Sequence, residues 1–184
     1  VLRPIKAGTV FVRLYLTRHP DPLGFGYGKS RFSDPTGKAF GVVYAGSTLK
    51  VAFNEVVLRD RGDGRTGSVP VPLAELEALT CAEIEVIDEL QLVDLTGDGP
   101  LQMGVPSDVV GARDQSLAQV WSSAFHGHSS EPDGVYYPSR LNEERNIALY
   151  DRSLVKMRAK TVCPLLSKRR ELARLINEFD LAII

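Results

Sequence analysis

Five side chains spread along the chain are of types that do chemistry together: Arg13, Arg31, Tyr44, Glu55 and Ser139. Arginine forks grip a pyrophosphate through paired hydrogen bonds. A tyrosine ring stacks on a flat partner, and a carboxylate stabilises a developing oxocarbenium ion. Such a set suits an anionic ligand that carries an aromatic ring. Taken singly, each residue has a plainer reading. Arg13 reads as a solvated arginine on an edge strand, Glu55 as a solvated helix residue, and Ser139 in YYPSR as a turn residue after proline. Their company is what raises them, since they come from separate elements.

Other chemistries find less support. Gly28-Lys29-Ser30 invites a phosphate-loop reading, but that motif needs a glycine where Leu23 stands and a helix where FSDPTG follows. The loop still supplies Lys29, Arg31 and glycines that let a ligand approach the backbone. His126 and His128 form an H-x-H pair at a helix end without further ligands at metal spacing, so no metal site is expected. A histidine there complements the helix dipole. No G-x-S-x-G elbow surrounds Ser139, which leaves a hydrolase nucleophile without a warrant. Cys81 and Cys163 lie in apolar contexts, LTCAEI and TVCPLL, and read as buried free thiols.

These residues need elements to hold them. Residues 9–16 alternate as a strand, with Phe11, Arg13 and Tyr15 sharing one side. RHPDPLGFGYGKSRFSDPTGKAF is dense in glycine and proline and predicts a long loop. The stretch Gly41–Asp60 predicts a strand–turn–helix, capped by Ser47 or Thr48, with Leu49, Ala52, Phe53 and Val56 buried. Glu55 then lies roughly a hundred degrees from that face, on the flank. RDRGDGRTGSVP predicts a polar loop, Leu73–Leu79 a short helix, and Glu83–Ile87 and Leu90–Leu95 strands. A helix is expected from about Gln115 to His126. GVYYPSR and NIALYDR pair as strands, 154–162 alternates as a half-exposed strand, and a last helix covers about Ser167–Phe179. Strands and helices are interspersed without a βαβ rhythm, which favours an α+β fold with a mixed or antiparallel sheet and flanking helices.

The chain of 184 residues is expected to form one domain, 1–184. Its net charge of -1 makes no electrostatic case for nucleic acid or an anionic membrane as partner. Without a signal peptide or a membrane-length apolar run, the expected location is the cytoplasm. A homo-oligomer is left open.

The order RLYL…GKSRFSDP…GVVYAGSTLKVAFNE…DGVYYPSR…NIALYD resembles the RES domain, a family named for its arginine, glutamate and serine. Arg31, Glu55 and Ser139 stand at those three positions, as the expected catalytic set. Arg13 and Tyr44 match two further pocket positions, expected to bind the substrate. The resemblance implies a fold related to the ADP-ribosyltransferases. It also implies a bacterial toxin that depletes NAD by cleaving the nicotinamide–ribose bond, with water or inorganic phosphate as acceptor. No cofactor beyond NAD itself is implied, and the partner is an Xre-type helix-turn-helix antitoxin. Two rivals stay open: transfer of ADP-ribose to a protein, and a non-catalytic nucleotide-binding module.

Overall fold

The computed structural model describes residues 1–64 and 66–184; Arg65, inside the polar loop expected after Arg59, lies outside the described residues. Its strands are β1 (Leu2–Ile5), β2 (Val10–Leu16), β3 (Val42–Gly46), β4 (Val69–Val71), β5 (Leu79–Val86), β6 (Leu90–Asp94), β7 (Gly134–Pro138), β8 (Arg145–Tyr150), β9 (Met157–Pro164) and β10 (Leu181–Ile183). Its helices are α1 (Leu49–Phe53), α2 (Leu73–Glu77), α3 (Gly99–Met103), α4 (Asp108–Gly111), α5 (Ser116–His126) and α6 (Arg169–Glu178). Eight strands hydrogen-bond in the order β1-β6-β7-β8-β3-β2-β5-β9, and β10 pairs with β4 separately. Within the large sheet only β6 and β7 run parallel. Parallel pairing demands a long crossover, and α3, α4 and α5 lie in it.

Side chains from the two halves of the sheet, Leu90 and Leu92 of β6 and Ile84 and Val86 of β5, share one cluster with Phe11, Val43 and Ile147. The sheet is therefore curled around that cluster. Its other face carries two more. Phe32, Phe40, Val135, Ala148 and Tyr150 pack against Ala118 and Phe125 of α5. Leu14, Phe53 and Cys81 pack against Leu76 of α2 and Leu172 and Leu175 of α6. Burying these faces is the main source of stability.

Between those two clusters the sheet parts. All of β2 pairs with β5, yet β2 meets β3 only at Val12 and Gly46. Where further rungs would form, Gly26 of the long loop bridges Val42 instead. The Gly26 N–H donates to the Val42 carbonyl at 3.4 Å and the Val42 N–H donates back at 3.2 Å. The glycine- and proline-rich segment is thus a wedge between strands. It can seat there because Gly41 has no side chain: a Cβ would stand 2.0 Å from the Phe25 ring.

The strand–turn–helix forms as expected, with Thr48 as its cap, accepting from the Val51 N–H at 3.2 Å. The helix then departs from the expected pattern. Asn54–Leu58 make a π turn, closed by the Arg59 N–H on the Asn54 carbonyl at 2.6 Å. The wider turn moves the buried face onto Val57, 1% exposed, and leaves Val56, expected inside, 41% exposed. A second correction concerns 154–162. Asp151–Lys156 is a 3-10 helix with Val155 exposed, and the strand starts at Met157. The Ser153 hydroxyl, donating to the Tyr150 carbonyl at 2.7 Å, holds that turn. Cys81 is buried, whereas Cys163, opposite it on β9, is half-buried. Burial pushes the Cys81 thiol up to about 11. Among the described residues no helix is long and apolar enough to cross a membrane.

Candidate active site

Side chains alternate across a strand, so residues facing one another across rungs share a face. Val12, Gly46, Asn146 and Tyr137 lie in one such row, on β2, β3, β8 and β7. The absent side chain of Gly46 lets α1 pack directly on the strand end, where a Cβ would stand 2.8 Å from the Val51 Cβ. The π turn follows and delivers Glu55 above the row. A cleft of about 360 Å³ opens there, at the parting of the sheet. Its volume is that of a small-molecule site.

Glu55, Arg13, Arg31 and Tyr44 all line this cleft. Ser139 meets them from behind. It is 1% exposed, and its hydroxyl donates to Glu55 Oε1 at 2.7 Å while accepting from the Leu141 N–H at 3.2 Å. Asn146 Nδ2 donates to the same Oε1 at 2.9 Å. Two donors on one oxygen fix the carboxylate and leave Oε2 without a hydrogen bond among the described residues. Ser139 thus holds Glu55 in this structure.

Both arginines are tied to backbone. Arg13 donates to the carbonyls of Pro22 at 2.7 Å and Gly24 at 2.8 Å, and lies over the Tyr15 ring at 5.3 Å. It holds the wedge loop in place while bordering the cleft. Arg31 donates to the carbonyls of Val109 at 3.2 Å and Ala112 at 2.8 Å, which clamps the loop to the crossover. Neither has a carboxylate within salt-bridge distance among the described residues. Burial lowers both guanidinium pKa values; at Arg31, Tyr137 opposes the shift and Arg140 reinforces it. An arginine stays charged regardless.

The Tyr44 hydroxyl accepts from the Phe32 N–H at 2.9 Å and lies 3.3 Å from Ser33 Oγ, fixing the residues next to Arg31. Burial pushes its phenol up to about 12, and the Tyr137 phenol is also raised well above its ordinary value, chiefly by burial. Neither ionises near neutrality. Four arginines (Arg13, Arg31, Arg59, Arg140) and one carboxylate, Glu55, line the cleft. The field favours an anion. Among the described residues Glu55 is the one carboxylate of the lining, a fixed charge of the kind that stabilises a nearby cation.

Asn146, Tyr137 and Arg140 escaped sequence reasoning. Asn146 directly precedes the apolar run 147–150 of β8, and that polar residue at the head of an apolar strand was the available signal; the fold buries it to 2%. His126 stacks on Phe40, with ring centroids 4.2 Å apart, and takes no part in the cleft.

A sequence model described as the RES domain matches residues 12–171. Over 127 residues the chain is 42% identical to probable toxin y4kH of Sinorhizobium fredii (strain NBRC 101917 / NGR234), an alignment covering 69% of this chain and 100% of that protein. In fold it is similar to a chain in the crystal structure of the M. tuberculosis MbcT-MbcA toxin-antitoxin complex. The TM-score is 0.65, the identity 20%, and 90% of each chain is covered. At that identity the likeness is one of fold. The α+β class, with a mostly antiparallel sheet and flanking helices, is borne out.

Proposed function

The chain belongs to the RES domain family, and from that premise we propose that it is the toxin of a toxin–antitoxin pair that destroys NAD by cleaving the nicotinamide–ribose bond. The whole chain, 1–184, serves as one catalytic domain of ADP-ribosyltransferase-like fold. The observation that carries this reading is the one carboxylate among the described lining residues, held by Ser139 and Asn146 in a cleft that four arginines also line. Hydrolysis of an ordinary glycoside needs a second carboxyl group to protonate the leaving oxygen. Nicotinamide leaves a pyridinium as a neutral molecule and needs no proton, so one carboxylate suffices.

In this mechanism Arg31 and Arg13 face the pyrophosphate and ribose side through the N–H groups not given to backbone. Tyr44 presents its ring to nicotinamide. Glu55 Oε2 bonds a ribose hydroxyl and stabilises the cation that forms as the C–N bond lengthens. Ser139 and Asn146 keep that oxygen aimed, so that little reorganisation is needed in the transition state. Water or inorganic phosphate then attacks the cation. The name of the probable-toxin relative and the assembly in the similar structure support a toxin role and an antitoxin partner, here an Xre-type helix-turn-helix protein acting in the cytoplasm.

The test is product analysis with NAD labelled in its adenylate half, with and without phosphate. Free ADP-ribose or its phosphate, with nicotinamide released, is the expected result. Label on protein would replace this reading with ADP-ribose transfer. Binding without turnover would reduce the protein to a nucleotide-binding module.

A further inference from the structure

A second hollow, of about 440 Å³, adjoins the cleft and is bordered by Arg140, Arg145 and Thr96. Arg140 and Pro138 are common to both, so Arg140 borders the two hollows at once. Arg13 and Arg31 each commit two N–H groups to carbonyls of the surrounding loops. Arg140 is held differently. Its one hydrogen-bonded partner among the described residues is Asp60, at 2.6 Å.

Asp60 belongs to the segment that leaves the π turn through Arg59, whose φ of 39° is rarely adopted by an L side chain. Three residues on, Asp63 pairs with Arg113. Three ion pairs tie this segment down: Asp60 with Arg140, Arg61 with Glu75 and Asp63 with Arg113. The Arg140 and Asp60 side chains are 31% and 47% exposed, and ion pairs in that setting are weakly held. Arg31 lies close enough for the like charge of Arg140 to depress it further. Arg31 and Arg140 both line the first cleft, and two like charges there favour an anion.

We propose that Arg140 is a phosphate-binding residue of the cleft, masked by Asp60 until a phosphate group of the substrate displaces it. A phosphate offers two oxygens to the guanidinium fork and more charge than Asp60 brings. Exchange releases the Asp60 carboxylate alone, since Arg61 and Asp63 stay paired with Glu75 and Arg113. The inference rests on the reading above only for which phosphate-bearing molecule is the natural one.

Binding of inorganic pyrophosphate, and of NAD to the Glu55→Gln protein, is measured by calorimetry in four backgrounds: unaltered, Asp60→Asn, Arg140→Gln and the double variant. Asp60→Asn is expected to tighten binding about two- to fivefold. Arg140→Gln weakens it at least about tenfold, Arg140→Lys less so. In the double variant the gain from Asp60→Asn disappears, a coupling that a merely structural ion pair does not produce. Weakening of both ligands by Asp60→Asn, or its gain persisting without Arg140, would overturn the proposal. If pyrophosphate follows the expected pattern while NAD does not bind, Arg140 keeps its role and the NAD reading falls. If NAD is turned over and Arg140→Gln binds it as tightly as the unaltered protein, the reverse holds. Thermal melts of Arg140→Lys alongside keep a folding defect distinguishable.

Discussion

Glu55 has one oxygen committed and one to spare, and that asymmetry is the substance of the site. The donors on Oε1 come from positions 84 and 91 residues further along the chain. Replacing Ser139 by Ala, or Asn146 by Leu, is expected to lower kcat about tenfold each with KM little changed, because each removes one restraint on the same group. The double substitution should cost less than the product of the two, which a double-mutant cycle of nicotinamide release reads directly. At this scale the family pattern singled out Arg31, Glu55 and Ser139, and the fold brings Glu55 beside Arg31 in the cleft and against Ser139. The contact of Ser139 with Glu55 depends on a π turn that no local signal announces. Asn146 opens an apolar run, 147–150, which marks it as a polar residue in a strand, but its partner lies on a distant helix, so the pattern does not name that partner.

At the scale of elements, two irregularities make the cleft. The wedge loop takes the rung that would have closed β3 on β2, and the π turn swings Glu55 over the gap. Period and capping residues were enough to find β2, β3, α5, β7 and β8. Of the pairings, β7 with β8 was legible because the two are adjacent in sequence; the rest were not, since which edge meets which is decided by contacts far apart in sequence. A one-residue widening of a helix likewise leaves the apolar spacing almost intact, as the interchange of Val56 and Val57 shows. Gly46 joins these features. Its Cβ would meet Val51 and the Ala52 nitrogen at 2.8 and 2.9 Å, so Gly46→Ala must push α1 away from the strand. Urea unfolding is expected to show a loss of about 1–3 kcal/mol, with kcat falling further than stability explains because Glu55 moves with the helix. A variant as stable and active as the parent would mean that α1 does not set the position of Glu55.

Over the whole molecule, the curled sheet leaves the cleft dependent on the loop at its edge, and that loop is pinned by a buried acid. Burial alone would raise the Asp34 pKa, but hydrogen bonds from Thr36, Ala39 and Lys38 outweigh it and hold the carboxyl far below its ordinary range. Asp94, bonded to Thr96 and Arg3, is likewise lowered against its burial. A depressed folded pKa means that the unfolded chain takes up protons first as pH falls. The stability these acids contribute is complete above the unfolded carboxylate value, about 3.9, and is lost progressively below it. Asp34→Asn should therefore lower stability by about 2 kcal/mol at pH 7, a difference that shrinks toward pH 2 in thermal melts. A constant difference across that range would remove Asp34 from the acid response. What the whole fold presents is the Glu55 carboxylate, and nicotinamide release from NAD by the unaltered protein beside Glu55→Gln, with NAD binding measured on both, shows whether it does the chemistry. Retained binding and a fall in kcat of at least about a hundredfold are expected; undiminished release by Glu55→Gln would mean that Glu55 is not the catalytic carboxylate.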